Sequence, residues 1–397
     1  MLYGLFSTLL KSAKSAPIRG SGLTSGNYTS IFGRASMNIV KATRHYEEWL
    51  ASHTTLVKPD LRLKHQRMAE AAFPFLRATF YRWVQIWPEI CPTIAKAPHL
   101  LAVGDLHIEN FGTWRDVEGR LVWGVNDFDE AAVFPYTLDL VRLAASTLLA
   151  AEEGHLLLNV KSACAAILDG YKKSLDEHGQ PFVLEEEHKW LRIMATGELR
   201  DPEHFWKKMD SLPKVAGEIP ASAEEALEHL MPERHLTYRL VRRVAGLGSL
   251  GHVRLVAIAE CHGGRVAREA KALVPSSIHW AQGANSPGEL MYQAIISRAV
   301  RCPDPFVQMR GRWIVRRLSP HCSRIELSVI PRNRDELKML FSMGWETANI
   351  HLGSQSAIKE VRRHLGTLKP NWLYAAAKDM VKAVTRDFRD WKESGSA

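Results

Sequence analysis

The sequence lacks several features that would fix its class at once. No apolar run approaches the roughly 20 residues that a membrane-spanning helix needs. The five cysteines are odd in number and far apart, and no Cys-x-x-Cys pair occurs. Neither a disulfide framework nor a cysteine-based zinc site is therefore indicated, and the thiol usage fits a reducing cytoplasm. No zinc-finger or RNA-binding signature is present, so the net charge of +9 does not argue for nucleic acid. Spread along the chain, it suits a small anionic ligand. No acidic residue precedes Glu47, and residues 1–36 are basic and rich in Ser and Gly. That stretch reads as a disordered leader, as a start placed upstream of one near Met37, or as a targeting peptide.

What the sequence does have is a dense cluster of acids between Leu100 and Leu143. Gly104-Asp105-Leu106-His107-Ile108-Glu109-Asn110 follows the apolar run Leu100 to Val103. Asn126-Asp127-Phe128-Asp129-Glu130 follows a second run, Leu121 to Val125. Both runs are short and partly β-branched, which predicts buried strands that deliver carboxylates at their ends. Two carboxylates and an amide suit an oxygen-ligated divalent cation such as Mg²⁺, and a further carboxylate can act as a base. Solvated turns seldom interleave acids with Phe, Trp and Val in this way.

The wording Gly-Asp-Leu-His-x-x-Asn resembles the catalytic loop of aminoglycoside phosphotransferases and related small-molecule kinases. Asp127-Phe128-Asp129 resembles their metal motif, and Asp139-Leu140 falls where that family has an Asp-Leu that braces the loop. The pair GDxHxxNFG and NDFDE is closer still to an uncharacterised bacterial family, domain of unknown function 2252, over about Gln66 to Gln355. The resemblance implies an α+β, two-lobed, protein-kinase-like fold that uses ATP and Mg²⁺. Asp105, His107 and Asn110 would be catalytic, and Asn110, Asp127 and Asp129 would hold the metal.

From Leu236 the chain turns β-rich. A strand, the run Gly246-Leu247-Gly248-Ser249-Leu250-Gly251, and a second strand from Val253 to Ala259 follow in order. Strand–glycines–strand is the protein-kinase arrangement, in which backbone N–H groups approach phosphates, rather than the strand–helix order of a dinucleotide fold. Gly246, Gly248, Ser249 and Gly251 are thus candidate phosphate contacts. On the strand after the Gly263-Gly264 hairpin, Arg268 and Lys271 compete as the phosphate cation. Three positions separate them, so they point to opposite faces. Glu289, on an expected helix Glu289 to Val300, is the candidate partner of that cation. The glycines come after the catalytic motif, whereas the family places them before it, so the expected fold is circularly permuted. It comprises a helical lobe at 37–235, a small lobe at 236–318 ending at a Ser319-Pro320 hinge, and a return to the helical lobe at 319–397.

Periodicity predicts helices over Met37 to Ser52, Leu61 to Trp87 with a break at Pro74, Leu138 to Glu152, Val160 to Ser174, Asp335 to Leu352 and Asn371 to Trp391. Arg77, in an aromatic-rich stretch, is either a phosphate contact or solvated. The acidic segment Glu185 to Arg234 carries no readable chemistry. Three functional readings stand: a Mg-ATP-dependent phosphoryl or nucleotidyl transferase with an unknown small-molecule or protein acceptor, a silent nucleotide-binding scaffold, and a metal phosphoesterase. The last would start from Asp105 and His107, but its only further His motif is Asn349-Ile350-His351.

Overall fold

Asn38 starts the first helix. Its Oδ1 accepts the Lys41 N–H at 2.9 Å, and α1 runs Ile39–Ala51. This and all that follows come from a computed structural model. It describes residues 37–195, 201–215, 217–283, 288–320, 322 and 336–396, so the leader expected at 1–36 lies outside the described residues.

Three helices follow: α2 (Lys58–Met68), α3 (Ala72–Ala78) and α4 (Phe80–Ile90). The break expected at Pro74 falls elsewhere. Pro74 occupies the first turn of α3, where its missing N–H has no intrahelical partner to lose. The chain instead leaves the helix at Thr79, with φ −123° and ψ 40°.

Strands β1 (His99–Ala102), β2 (Phe111–Arg115), β3 (Leu121–Val125) and β4 (Ala132–Pro135) come next, then α5 (Thr137–Glu152) and α6 (Val160–Asp176). β1 pairs with β4, and β2 with β3; β3 also takes a short edge strand, β5 (Phe182–Val183). The acidic segment forms α7 (Lys189–Ala195), α8 (Pro202–Asp210) and α9 (Ala221–His229).

Beyond them lie β6 (Tyr238–Arg242), β7 (Arg254–Cys261), β8 (Gly264–Ala272), α10 (Ser277–Gln282), α11 (Tyr292–Arg298), β9 (Val307–Arg310) and β10 (Trp313–Leu318). These strands form one antiparallel sheet in the order β6-β7-β8-β10-β9. The chain closes with α12 (Glu336–His351), α13 (Gln355–Thr367) and α14 (Trp372–Glu393). The class is α+β. Among the described residues no helix is long and apolar enough to cross a membrane.

Strand alternation gives the five-stranded sheet two different faces. Leu255, Ala257, Ala259, Ala270 and Ala272 pack with Ala223 and Leu227 of α9. Val256, Ile258 and Ala267, on the other face, pack with Met209 of α8. The segment without readable chemistry therefore clamps the sheet from both sides.

The helical part has a single large core. Asp387 of α14 ties α14 to α4 by accepting the Arg82 Nε–H at 2.7 Å, with both side chains almost wholly buried. α6 and α12 touch backbone to backbone. A Cβ on Gly170 would collide with the Phe341 carbonyl, and one on Gly344 with the Ile167 carbonyl. Gly344→Ala should therefore cost about 1–3 kcal/mol or more in urea unfolding, because neither helix backbone can yield without moving the other. An alanine variant as stable as the parent would show that the helices separate freely.

Candidate active site

Both acidic motifs are delivered as strand ends. After β1 the chain turns at Gly104, whose φ is +87°. A Cβ there would collide with the Glu130 carbonyl, so a side chain would force the two motifs apart. The turn is held from below by Asp139, in the first turn of α5. Its carboxylate accepts the N–H groups of Val103 at 2.7 Å and Gly104 at 2.9 Å. His351 Nε2 of α12 lies 3.0 Å from the same carboxylate, and His351 Nδ1 lies 2.9 Å from the Tyr171 hydroxyl of α6.

Asp105 follows directly. Its Oδ1 accepts from Arg142 Nε at 2.8 Å and from Nη2 of the same guanidinium. Arg142 is wholly buried against the rings of Phe80 and Trp83 and also donates to the Leu76 carbonyl at 2.8 Å. Burial raises the Asp105 carboxyl above its ordinary range, against the pull of Arg142. Asn110 Nδ2 donates to the Asp105 carbonyl at 2.5 Å, and the Asn110 carbonyl accepts the Asn126 N–H at 3.1 Å. The β2–β3 ladder thus sets the end of the first motif beside the start of the second. His107 is buried; its Nδ1 accepts the Glu109 N–H at 3.2 Å.

A cleft opens above these groups. Asp105, His107, Asn110, Asp127, Asp129 and Glu130 line it, as do Gly246, Gly248 and Ser249. Gly246 and Gly251 have positive φ, +76° and +102°. At Gly248 an added Cβ would lie 3.3 Å from Asp105 Oδ2, so the loop rests on that carboxylate. Lys64 of α2 donates from Nζ to the Gly248 carbonyl at 2.9 Å, and Arg254 Nη2 donates to Ser249 Oγ at 2.8 Å. Gly251 does not line the cleft. Its carbonyl accepts the Val57 N–H at 2.8 Å and anchors the loop to the start of α2.

The two competing cations are separated as strand parity requires. Lys271 points to the cleft side: its Nζ is 3.4 Å from Asp127 Oδ1 and also contacts Asp129 Oδ2. Arg268 faces α9, donating from Nε to the Leu230 carbonyl at 2.9 Å and stacking on Phe306. It is not at the site. Glu289 corrects a second expectation. The helix starts only at Tyr292, so Glu289 precedes it, and the partners of Lys271 are Asp127 and Asp129.

Beside Lys271 on the same face, buried Glu269 accepts from three arginines: Arg254 at 3.2 Å, Arg316 at 2.8 Å, and Arg243. Arg77 also lines the cleft and pairs with Glu109 at 2.6 Å. Glu130 holds the start of α10, accepting from Ser277 N at 2.7 Å and Ser276 Oγ at 2.8 Å. His351 belongs to the brace under Asp139 and does not line the cleft.

Several contributors were not legible. Arg142 had a signal: it is the lone basic residue in a largely apolar helix. Lys64 had none, since it sits in a helix rich in charge. Arg254 and Glu269 required the strand register.

The donor set fits a hard divalent cation. Asp127 and Asp129 offer carboxylates and Asn110 an amide, all facing the cleft that the glycine loop covers. The two acids differ in protonation. Burial, and then the charge of Asp127, pushes Asp129 up to about 7. Asp127 is only half-buried; partial desolvation works against its charge, but Lys271, Arg316 and Arg254 hold it below the ordinary carboxylate range.

An unfolded Asp loses its proton near pH 4, so between about pH 4 and 7 Asp129 holds a proton in the folded chain that it lacks in the unfolded one. That contribution to stability is lost as pH rises through the window, against the opposite pull of His252, which burial lowers to about 3. Glu346, raised to about 7 by burial, adds to the fall. Urea unfolding should show lower stability at pH 8 than at pH 5.5, with a smaller difference in Asp129→Asn. An unaltered difference in that variant would put the extra proton elsewhere.

No curated protein and no solved structure matches the chain. Residues 56–203, which carry both acidic motifs and stop short of the glycine loop, match the model of a family described as "Uncharacterized protein conserved in bacteria (DUF2252)".

Proposed function

We propose that the protein is a kinase-like phosphotransferase that uses Mg-ATP, with its nucleotide-binding sheet placed after its catalytic motif in the chain. One observation carries this reading. Four segments far apart in sequence converge on one cleft: Asp105 to Asn110, Asp127 to Asp129, the loop Gly246 to Ser249, and Lys271 of β8. An antiparallel sheet with its glycine loop between two strands and a cation on the third is what phosphoryl transfer uses to position a nucleotide.

On this reading the glycine loop, Lys64, Arg254 and Lys271 bind the phosphates. Asn110, Asp127 and Asp129 would hold the magnesium, which neutralises charge on the phosphates. Asp105, aimed by Arg142, presents Oδ2 to an acceptor hydroxyl, orients it and takes its proton. The acceptor is a small molecule or a protein side chain, and a nucleotidyl group could move in place of a phosphoryl group.

A second reading, a nucleotide binder without turnover, has its own support. Arg142 already neutralises Asp105, and the loop at Gly248 packs against its remaining oxygen.

The decisive experiment is a thermal-shift titration with ATP, with and without Mg²⁺, followed by turnover assays. ATP with Mg²⁺ should raise the melting temperature of the wild type, and Asp127→Ala should weaken that rise. No shift under any condition removes both readings. Asp105→Asn should leave nucleotide binding within about twofold and cut transfer by about 10²–10⁴-fold. Full transfer in that variant removes Asp105 from the chemistry, and nucleotide binding with no transfer by the wild type favours the binder. Lys271→Ala should weaken ATP binding strongly, whereas Arg268→Ala, on the far face, should not.

A further inference from the structure

Phe128 lies between the two carboxylates of the Asp127-Phe128-Asp129 motif, and its ring points away from the cleft into a second cavity. That cavity, of about 350 Å³, is lined by Thr113 and Trp114 of β2, Phe128, Tyr292 and Ile296 of α11, and the start of β9. Three arginines also line it: Arg301, Arg316 and Arg317.

Their surroundings are unusual for surface arginines. The Arg301 guanidinium is stacked on Trp114 at 4.5 Å and Phe128 at 5.1 Å from the ring centroids. Arg317 is stacked on Phe306 at 4.2 Å. Arg301 Nη1 and Arg317 Nε are buried and have no hydrogen-bond partner among the described residues. A buried donor left unpaired costs about 1–3 kcal/mol, so such donors ordinarily have an acceptor.

Among the described residues Asp304 and Glu346 attract Arg301, yet neither accepts these two N–H groups. Asp304 accepts the Phe306 N–H at 2.9 Å, and burial raises its carboxyl above the ordinary range. Glu346 is engaged by Val125 N at 3.2 Å and Asn349 Nδ2 at 2.9 Å. Arg316 is partly neutralised by Glu269. Arg301 lies against Trp114 and Phe128 and Arg317 against Phe306, and planar cations placed in this way are suited to fork recognition of an oxyanion.

We infer that this cavity is a second ligand site, which takes a small organic anion. A carboxylate or phosphate would sit between Arg301 and Arg317, and an apolar or aromatic body would lie against Trp114, Phe128 and Tyr292. The site is separate from the proposed nucleotide cleft and does not depend on that function. Phe128 in its wall sits between Asp127 and Asp129 in sequence, so its ligand bears on the segment that carries those two acids.

Cys322, half-buried, lines the cavity and reports on it directly: Arg317 Nη2 lies 3.6 Å from its Sγ. The test uses the full chain without nucleotide. Phenyl phosphate and phenylacetate are titrated by calorimetry, with inorganic phosphate and benzyl alcohol as controls. Alkylation of each cysteine by iodoacetamide is followed by peptide mass spectrometry.

At least one of the two aromatic anions should bind and should slow alkylation of Cys322 at least fivefold, with Cys261 unaffected. Phenyl phosphate binding in preference to phenylacetate assigns a phosphate ligand, and the reverse assigns a carboxylate. The double variant Arg301→Gln, Arg317→Gln should bind at least tenfold more weakly. Failure of both anions to bind at millimolar concentration overturns the site, as does unslowed Cys322 alkylation at saturation. The protection arm uses the unmodified protein, so it decides the matter even if the double variant does not fold. ATP binding, measured separately, reports on the cleft and leaves this outcome unchanged.

Discussion

The carboxylate of Asp139 is the constraint on which the site depends. β1 ends at Ala102, where its pairing with β4 stops, and the next two backbone N–H groups are buried without a strand partner. Buried amides must find acceptors. Asp139 supplies both, from the first turn of a helix, where the dipole favours an anion. His351 and Tyr171 complete the connection, so α5, α6, α12 and the turn into Asp105 form one hydrogen-bonded unit. The same helix supplies Arg142 one turn later. The element that fixes the backbone at Gly104 therefore also aims the carboxylate of Asp105.

The sheet contributes a different order, set by its period of two. Glu269 and Lys271 share a face, and Arg268 and Ala270 share the other. Register then brings Arg254 opposite Lys271 and Arg316 opposite Glu269. Three arginines around one glutamate leave an excess of positive charge on this face. With nothing but Glu269 to offset them, these groups would be costly to bury. Asp127 and Asp129 lie within reach of the same face, and the two halves of the molecule compensate each other.

The local chemistry was legible in the sequence because it is contiguous. Asp105 to Asn110 and Asp127 to Asp129 each follow a strand whose apolar character is plain, and Asp139 follows a clear helix start. The strand–glycine–strand pattern could also be read, and the structure sets Gly248 against Asp105. What could not be read depended on registers and on packing between distant segments. Parity told that Arg268 and Lys271 face opposite ways, but only the position of α9 decides which face is the outer one. Periodicity extends the helix back to Glu289, whereas it begins at Tyr292. Pro breaks the interior of a helix, so the sequence predicts a break at Pro74; in a first turn Pro does no such thing. Lys64 reaches the loop from a helix whose sequence marks nothing but solvent exposure.

The charge arrangement also bears on how the cleft would fill. Lys271 Nζ stands between Asp127 and Asp129, in the region where a divalent cation would bind. A cation entering alone must drive out that ammonium and the proton that Asp129 holds near neutral pH. Doing so would leave Lys271, Arg254 and Lys64 without sufficient counter-charge beneath the glycine loop. An anion entering alone would meet a lysine already paired with Asp127 and Asp129. On the proposed function the two together would solve both problems, since Asp127 and Asp129 would hold the metal and the released Lys271 would hold the anion. On that reading these charges would favour joint binding of a metal and a polyanion over binding of either one, which is the behaviour that a metal–nucleotide complex requires.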